Sequence, residues 1–339
     1  MKTQTIQYSS AKTNVTLGGR KRLSLAATAV LLGCSATYAG ADNQPHDDKS
    51  AARAEAKNQT ISFSGSGYIG YRSDSNVSVS ELDTNSDAAD GALQAEAQLK
   101  VSLMPSAKWE NVLSVSQANT NYQTLGEFDL GLTTLSASTS YTFDVAKLGA
   151  HYYHASAKLD GRDFLTYQQY GLSAGKLLGQ HTYLRLSSDI IDKQFENTPE
   201  GAPIRDSEAV AVRSDLFYFF EREDFFQIAL KYQNEDAQDN VFDYIGKGVD
   251  LAYTYPIAMF NKPLKLKVGY QLDLRDYASE KDGGIGREDD RHIVEMSADY
   301  AIHNNVDIKL STQYGDYASS VDGANYKETI AELGVNVHF

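Results

Sequence analysis

The chain has 339 residues, with 45 Asp and Glu against 31 Lys and Arg for a formal net charge of −14, and it carries 22 Tyr but only one Cys. The acidic balance excludes a nucleic-acid partner, the lone cysteine excludes a disulfide framework, and no run of about 18 apolar residues is available to cross a membrane as a helix. The tyrosines exceed what one water-filled fold needs, and Tyr is favoured where a membrane meets water.

Residues 1–22 carry Lys2, Lys12, Arg20, Lys21 and Arg22 with no acid, and the apolar run LSLAATAVLLG follows at 23–33. This is the pattern of a secretory signal, and the small residues Ala39, Gly40 and Ala41 place the cleavage so that the signal covers 1–41. A cut after Ala39 is the second choice. A lipoprotein signal is the rival reading, because LLGC at 31–34 would leave Cys34 acylated, although Leu32 stands where a small residue is usual. Removing 1–41 leaves 26 basic residues against 45 acids, a net charge of −19. Residues 42–60, DNQPHDDKSAARAEAKNQT, are polar and aperiodic and read as a flexible periplasmic tail.

From Ile61 the apolar residues alternate with period two in segments of about the 9–11 residues that cross a bilayer as a tilted strand. The first strands carry Ile61, Phe63, Ile69 and Tyr71; then Leu93, Ala95, Ala97, Leu99, Val101 and Leu103; then Leu113 and Val115 after Trp109. Near Tyr152 and Tyr153 the apolar phase moves from even to odd, which predicts either a bulge there or a slip in the assigned register. The alternation is clearest later, in Val212, Leu216, Tyr218 and Phe220; Phe226, Ile228, Leu230 and Tyr232; Val249, Leu251, Tyr253 and Tyr255; and Leu264 to Leu274 on even positions. Val294, Met296, Ala298 and Tyr300, then Val306, Ile308 and Leu310, continue it. Short turns fall at 105–108, 144–147, 175–180, 221–224, 256–263 and 303–305, and longer polar loops at 73–92, 195–208, 277–290 and 318–325. Short turns on one side and long loops on the other are the layout of an outer-membrane barrel. The fold expected over 61–339 is all-β: an antiparallel transmembrane β-barrel of about 14 strands, in the bacterial outer membrane with both termini periplasmic.

A soluble β-sandwich or lipocalin-like barrel also alternates, but it does not explain the ending ELGVNVHF. That ending resembles the C-terminal motif by which the outer-membrane assembly machinery recognises its clients, with Glu332, Gly334, Val337 and Phe339 in the matching places. The barrel assembly machinery, outer-membrane lipids and lipopolysaccharide are therefore expected partners.

If the apolar phase faces lipid, the opposite phase points Lys265, Lys267, Asp273, Arg275, Glu295, Asp299, Asp307, Lys309 and Glu332 into the lumen, where cross-strand ion pairs are expected. The first loop is acidic, and its Asp83, Asn85 and Asp87 have the alternate spacing of a calcium loop without the distal Glu of an EF-hand. A solvated acidic loop is the favoured reading of that stretch, divalent ions bridging such loops to lipopolysaccharide phosphates is a further possibility, and no cofactor is implied. His151, His154 and Ser156 stand close along one strand, but no catalytic motif accompanies them, so interfacial or luminal histidines are expected rather than an enzyme.

The stretch GYIGYRSDSNV and the Tyr-rich end DRHIVEMSADYAIHNNVDIKLSTQYGDYASS…NYKETIAELGVNVHF resemble a broad group of proteobacterial barrels. That group includes the C-terminal barrel of the surface lipoprotein assembly modifiers. The resemblance implies a barrel over 61–339 and a role in moving proteins across the outer membrane. Those proteins carry a helical repeat domain where this chain has its short tail. The expected function is a pore or translocator for small solutes or a secreted partner protein. The alternative is a structural or binding barrel whose acidic loops meet lipopolysaccharide or cations.

Overall fold

The computed structural model describes residues 60–197, 202–277, 286–321 and 324–339. The expected signal and tail, 1–59, lie outside them. Fourteen antiparallel strands close into one barrel. They are β1 Thr60–Asp74, β2 Asp90–Ser106, β3 Trp109–Tyr122, β4 Leu130–Thr142, β5 Lys147–Leu159, β6 Arg162–Leu178 and β7 Thr182–Phe195. The second half comprises β8 Ser207–Phe219, β9 Phe225–Ala237, β10 Tyr244–Met259, β11 Lys262–Tyr277, β12 Glu288–His303, β13 Val306–Ser319 and β14 Tyr326–His338. Each strand pairs with its neighbours in the chain, and β1 pairs with β14 from Ser66↔His338 to Asp74↔Ile330, so no sheet edge is left unpaired.

Strict alternation gives the barrel its two faces. Leu99, Leu113, Leu135, Leu172, Leu186, Leu230, Val268, Met296 and Leu310 all point outward and are exposed. Exposed aromatic residues border this apolar belt, with Trp109, Tyr141, Tyr218, Phe220 and Tyr253 toward one end and Tyr71, Tyr170, Tyr232 and Tyr314 toward the other. An apolar band between two aromatic girdles matches the cross-section of a bilayer.

The connections at the two ends differ. At one end they cover 107–108, 143–146, 179–181, 220–224, 260–261 and 304–305, and we call this the turn end. At the loop end they cover 75–89, 123–129, 160–161, 196–206, 238–243, 278–287 and 320–325. One loop-end connection is as tight as a turn: Asp160 (φ 52°) and Gly161 (φ 72°) both take the left-handed backbone of a two-residue hairpin.

The predicted bulge at Tyr152 and Tyr153 is not there. In β5 the even residues Leu148, Ala150, Tyr152 and His154 stay on the outer face, while Tyr153 turns inward to meet Tyr167 edge-on at 5.9 Å. The register shift lies further on, between Ala157 and Lys158 against β6. A large aromatic on the luminal phase had mimicked a change of phase.

Candidate functional site

The first loop, 75–89, does not project away from the barrel but folds into its mouth. Ser78–Val79 and Thr84–Asn85 pair as a short ribbon around the single 3-10 turn Ser80–Leu82. Val79 is buried against Leu132, Ala155, Ala157, Leu165, Ile191 and Ala209, which line the inner wall from β4 to β8. Leu82 packs on the same cluster. The luminal phase of these strands is thus apolar near the loop end, in contrast to the polar interior usual for such barrels. This hollow seats the loop.

A polar latch holds the other side. Asp83 caps the 3-10 turn in the left-handed conformation, φ 51°, which Asp tolerates. Arg287 donates to both Asp83 oxygens, at 2.9 and 2.7 Å, and Arg205 donates to Asp83 Oδ2 at 3.1 Å and to the Glu81 carbonyl at 3.0 Å. Arg291 stands 3.7 Å from Asp83. Burial alone would raise the Asp83 carboxyl, but the bond from Arg287 and the charges of Arg287, Arg205 and Arg291 outweigh it and hold the group at about 2. Aromatic faces support the cations: Arg287 lies 4.5 Å over Tyr277 and Arg205 lies 4.1 Å over Phe242. The solvated loop expected around Asp83, Asn85 and Asp87 is therefore corrected at Asp83, which is an arginine anchor. Asn85 instead accepts the Asp87 backbone N–H at 3.2 Å in a local turn.

Around the seated loop two small cavities remain. A cavity of about 40 Å³ lies between the 3-10 turn and Lys193, Arg205, Glu235, Tyr244, Arg275 and Arg291. A second, of about 60 Å³, lies deeper beside Gln169, Asp189, Ala211, Arg213, Lys231 and Gln233, and Tyr244 and Arg275 line both. Below the latch an alternating chain of charges crosses five strands. Arg185 pairs with Asp215 at 2.9 Å, Asp215 with Arg213 at 2.8 Å, and Arg213 with Asp250 at 2.8 Å. Lys231 continues to Asp250 and Asp273, each at 2.9 Å. Six charges of alternating sign cancel, so the girdle stiffens the wall without a net field. The facing wall is different: Ser114 and Ser136 share a 2.6 Å hydrogen bond, as do Ser116 and Thr134. Tyr183, Phe217, Phe219 and Phe225 form a ring cluster at the turn end, with centroids 5.9 to 6.5 Å apart along the chain of contacts.

The luminal charges read from the sequence sit on the inner phase of β11 to β14. Lys267 lies 3.7 Å from Glu295, and Lys265, Asp299 and Lys309 stand directly opposite one another across β11, β12 and β13. Arg275 lies 4.9 Å over Tyr244, and Lys309 lies 5.7 Å from the Tyr68 ring centre. Asp273, Asp307 and Glu332 find partners elsewhere: Lys231, His338 at 3.3 Å and Arg72 at 3.8 Å. In the terminal motif, Glu332 and Gly334 face inward, where a Cβ at Gly334 would lie 2.5 Å from Tyr68. Val337 and Phe339 face outward, and Phe339 covers Gly65 and exchanges two backbone hydrogen bonds with it. His154 and Ser156 lie on the outer phase of β5, whereas His151 faces inward and meets Asp189 at 2.7 Å.

Sequence reasoning missed the latch and, although it placed Asp273 in the lumen and expected cross-strand ion pairs, did not assemble the charge girdle. The girdle had a signal, since Arg185, Arg213, Asp215 and Lys231 all occupy the phase opposite to the apolar residues of their strands.

Residues 259–339 match the family described as "Putative beta-barrel porin 2". No curated protein matches the chain. Among solved structures it is similar to OmpT, an outer membrane protein of Vibrio cholerae, at 12% identity and a TM-score of 0.53, covering 84% of this chain and 99% of that one. The anion-selective porin from Comamonas acidovorans is a weaker likeness, at 9% identity and a TM-score of 0.48, covering 83% and 100%. The fold and the C-terminal match together describe a porin-like β-barrel of the bacterial outer membrane.

Proposed function

We propose that the barrel is a pore for small hydrophilic solutes, with its loop end outside, both termini periplasmic, and the first loop setting the width of the passage. The observation that carries this reading is the loop held inside the mouth by Asp83 while cavities remain beside and beneath it. A barrel that served only as scaffold or docking surface needs no such narrowing. Export of a partner polypeptide, which the resemblance to the assembly modifiers implies, would require the latched loop to leave the lumen. The narrowed mouth favours small solutes over that cargo, and neither reading gives the barrel wall a catalytic role. The N-terminal 1–41 and 42–60 fit this reading as an export signal and a periplasmic tail. Lipopolysaccharide and the assembly machinery are the partners such a barrel meets.

The test is conductance. Purified protein in planar bilayers should give discrete ion-conducting steps, and removal of the loop tip, residues 78–86, should enlarge them. An electrically silent barrel, with or without the tip, would reject the pore.

A further inference from the structure

The segment Asp74–Ser75–Asn76–Val77–Ser78 places oxygen-bearing side chains at alternate residues, the spacing at which a calcium loop offers its first ligands. The fold turns this segment from the end of β1 onto β14. Ser75 N–H donates to the Thr329 carbonyl at 3.0 Å, Asn76 Nδ2 to the Lys327 carbonyl at 3.3 Å, and Ser78 Oγ to Glu328 Oε1 at 3.2 Å. Asp74 and Glu328 are 1% and 2% exposed, and both accept from the same stretch of the first loop, Asp74 Oδ1 from the Asn76 N–H at 3.1 Å and Glu328 Oε1 from Ser78 Oγ.

Among the described residues, Arg72 is the only cation within 4 Å of these groups, 3.6 Å from Asp74 and 3.8 Å from Glu332. Arg72 thus serves Asp74 and Glu332, and among the described residues Glu328 has no cation within that distance. A second observation concerns orphaned oxygens. Glu328 Oε2 and Asn76 Oδ1 are buried without a hydrogen-bond partner, as are the hydroxyls of Tyr317 and of Tyr326, which stands two residues before Glu328 on the same face. Asn76 is itself nine-tenths buried, and its amide is pinned beside Glu328 through Lys327.

We infer that Asp74, Asn76, Ser78 and Glu328 form a calcium site at the loop end of the seam where β1 meets β14. Carboxylate, amide and hydroxyl oxygens with no thiol or imidazole suit a hard cation, and a flexible mixed set suits Ca²⁺ better than the octahedral Mg²⁺. No three Asp, Glu, His or Cys side chains converge among the described residues, so the affinity belongs to the weak extracellular class, a Kd of about 0.1–1 mM. The bound ion would tie the stem of the first loop to the strand that closes the barrel.

The experiment uses the full chain refolded in detergent free of lipopolysaccharide. Titration calorimetry with CaCl2 should show binding in that range, and thermal unfolding should move up by a few degrees in millimolar calcium relative to EDTA. Glu328→Gln and Asn76→Ala should each lose the binding and the shift, whereas Asp87→Asn, an exposed acid in the same loop, should keep both. Should Glu328→Gln fail to fold, Asn76→Ala decides alone. Unfolding that is the same in calcium and EDTA overturns the site. A shift that survives Asn76→Ala overturns it as well. Neither readout depends on conductance.

Discussion

Replacing Asp83 with Asn removes the charge that draws three arginines onto the first loop while keeping a residue that accepts the left-handed backbone there. The carboxyl sits at about 2 rather than the ordinary 3.8. At about 1.4 kcal/mol per pH unit, that gap corresponds to about 2.5 kcal/mol of preference for the latched loop, or about 60-fold in the ratio of seated to released states. Because the folded value lies below the free one, the stabilisation is complete above about pH 4 and fades as the pH falls toward 2. Asp83→Asn in planar bilayers at neutral pH should therefore open more often and to larger steps than the parent, and the parent should approach that behaviour only on strong acidification. Step sizes and dwell times identical to the parent, in a variant whose circular dichroism is unchanged, would refute the latch.

Loss of Arg213 leaves Asp215, which is fully buried, and Asp250 short of a partner. Arg213→Met should cost about 3 kcal/mol and lower the temperature at which the barrel unfolds on heat-modifiability gels. Gly171→Ala would place a Cβ 2.0 Å from Asp189 Oδ1 and 2.2 Å from the His151 ring, forcing their 2.7 Å contact apart. A loss of about 1–3 kcal/mol in urea unfolding is expected. Phe339→Ser should reduce the amount of folded barrel reaching the membrane in cells while leaving refolding into detergent largely intact, measured as the folded fraction in each case.

The barrel was legible because its signals are local. Alternation in β8 to β14 and the turn-end connections follow from side-chain period and breaker residues, and both read directly from short windows. The first loop was not legible, for a physical reason. Asp83 looks like any solvated loop acid until Arg205 and Arg287, distant in the chain, are brought to it, and no spacing rule links them. The hollow that receives Val79 could have been suspected from Leu132, Ala155, Ala157, Leu165 and Ile191, apolar residues on a phase that should be polar. At Tyr153 that same inward apolar character was misread as a bulge. Asp74, Asn76 and Ser78 were passed over because their partner Glu328 lies at the opposite end of the sequence.

The seated loop also implies an order of events. Its anchor on Arg287 joins residues 204 positions apart, and its bond to Arg205 joins residues 122 apart. Contacts of such long range form late, after the intervening chain has found its place. The loop that follows the first strand therefore waits, unfastened, until the strands bearing its anchors have entered the sheet. A newly inserted barrel would pass through a moment of wide bore before the loop settles, so permeability of the host membrane during synthesis becomes a clock for the last step of folding.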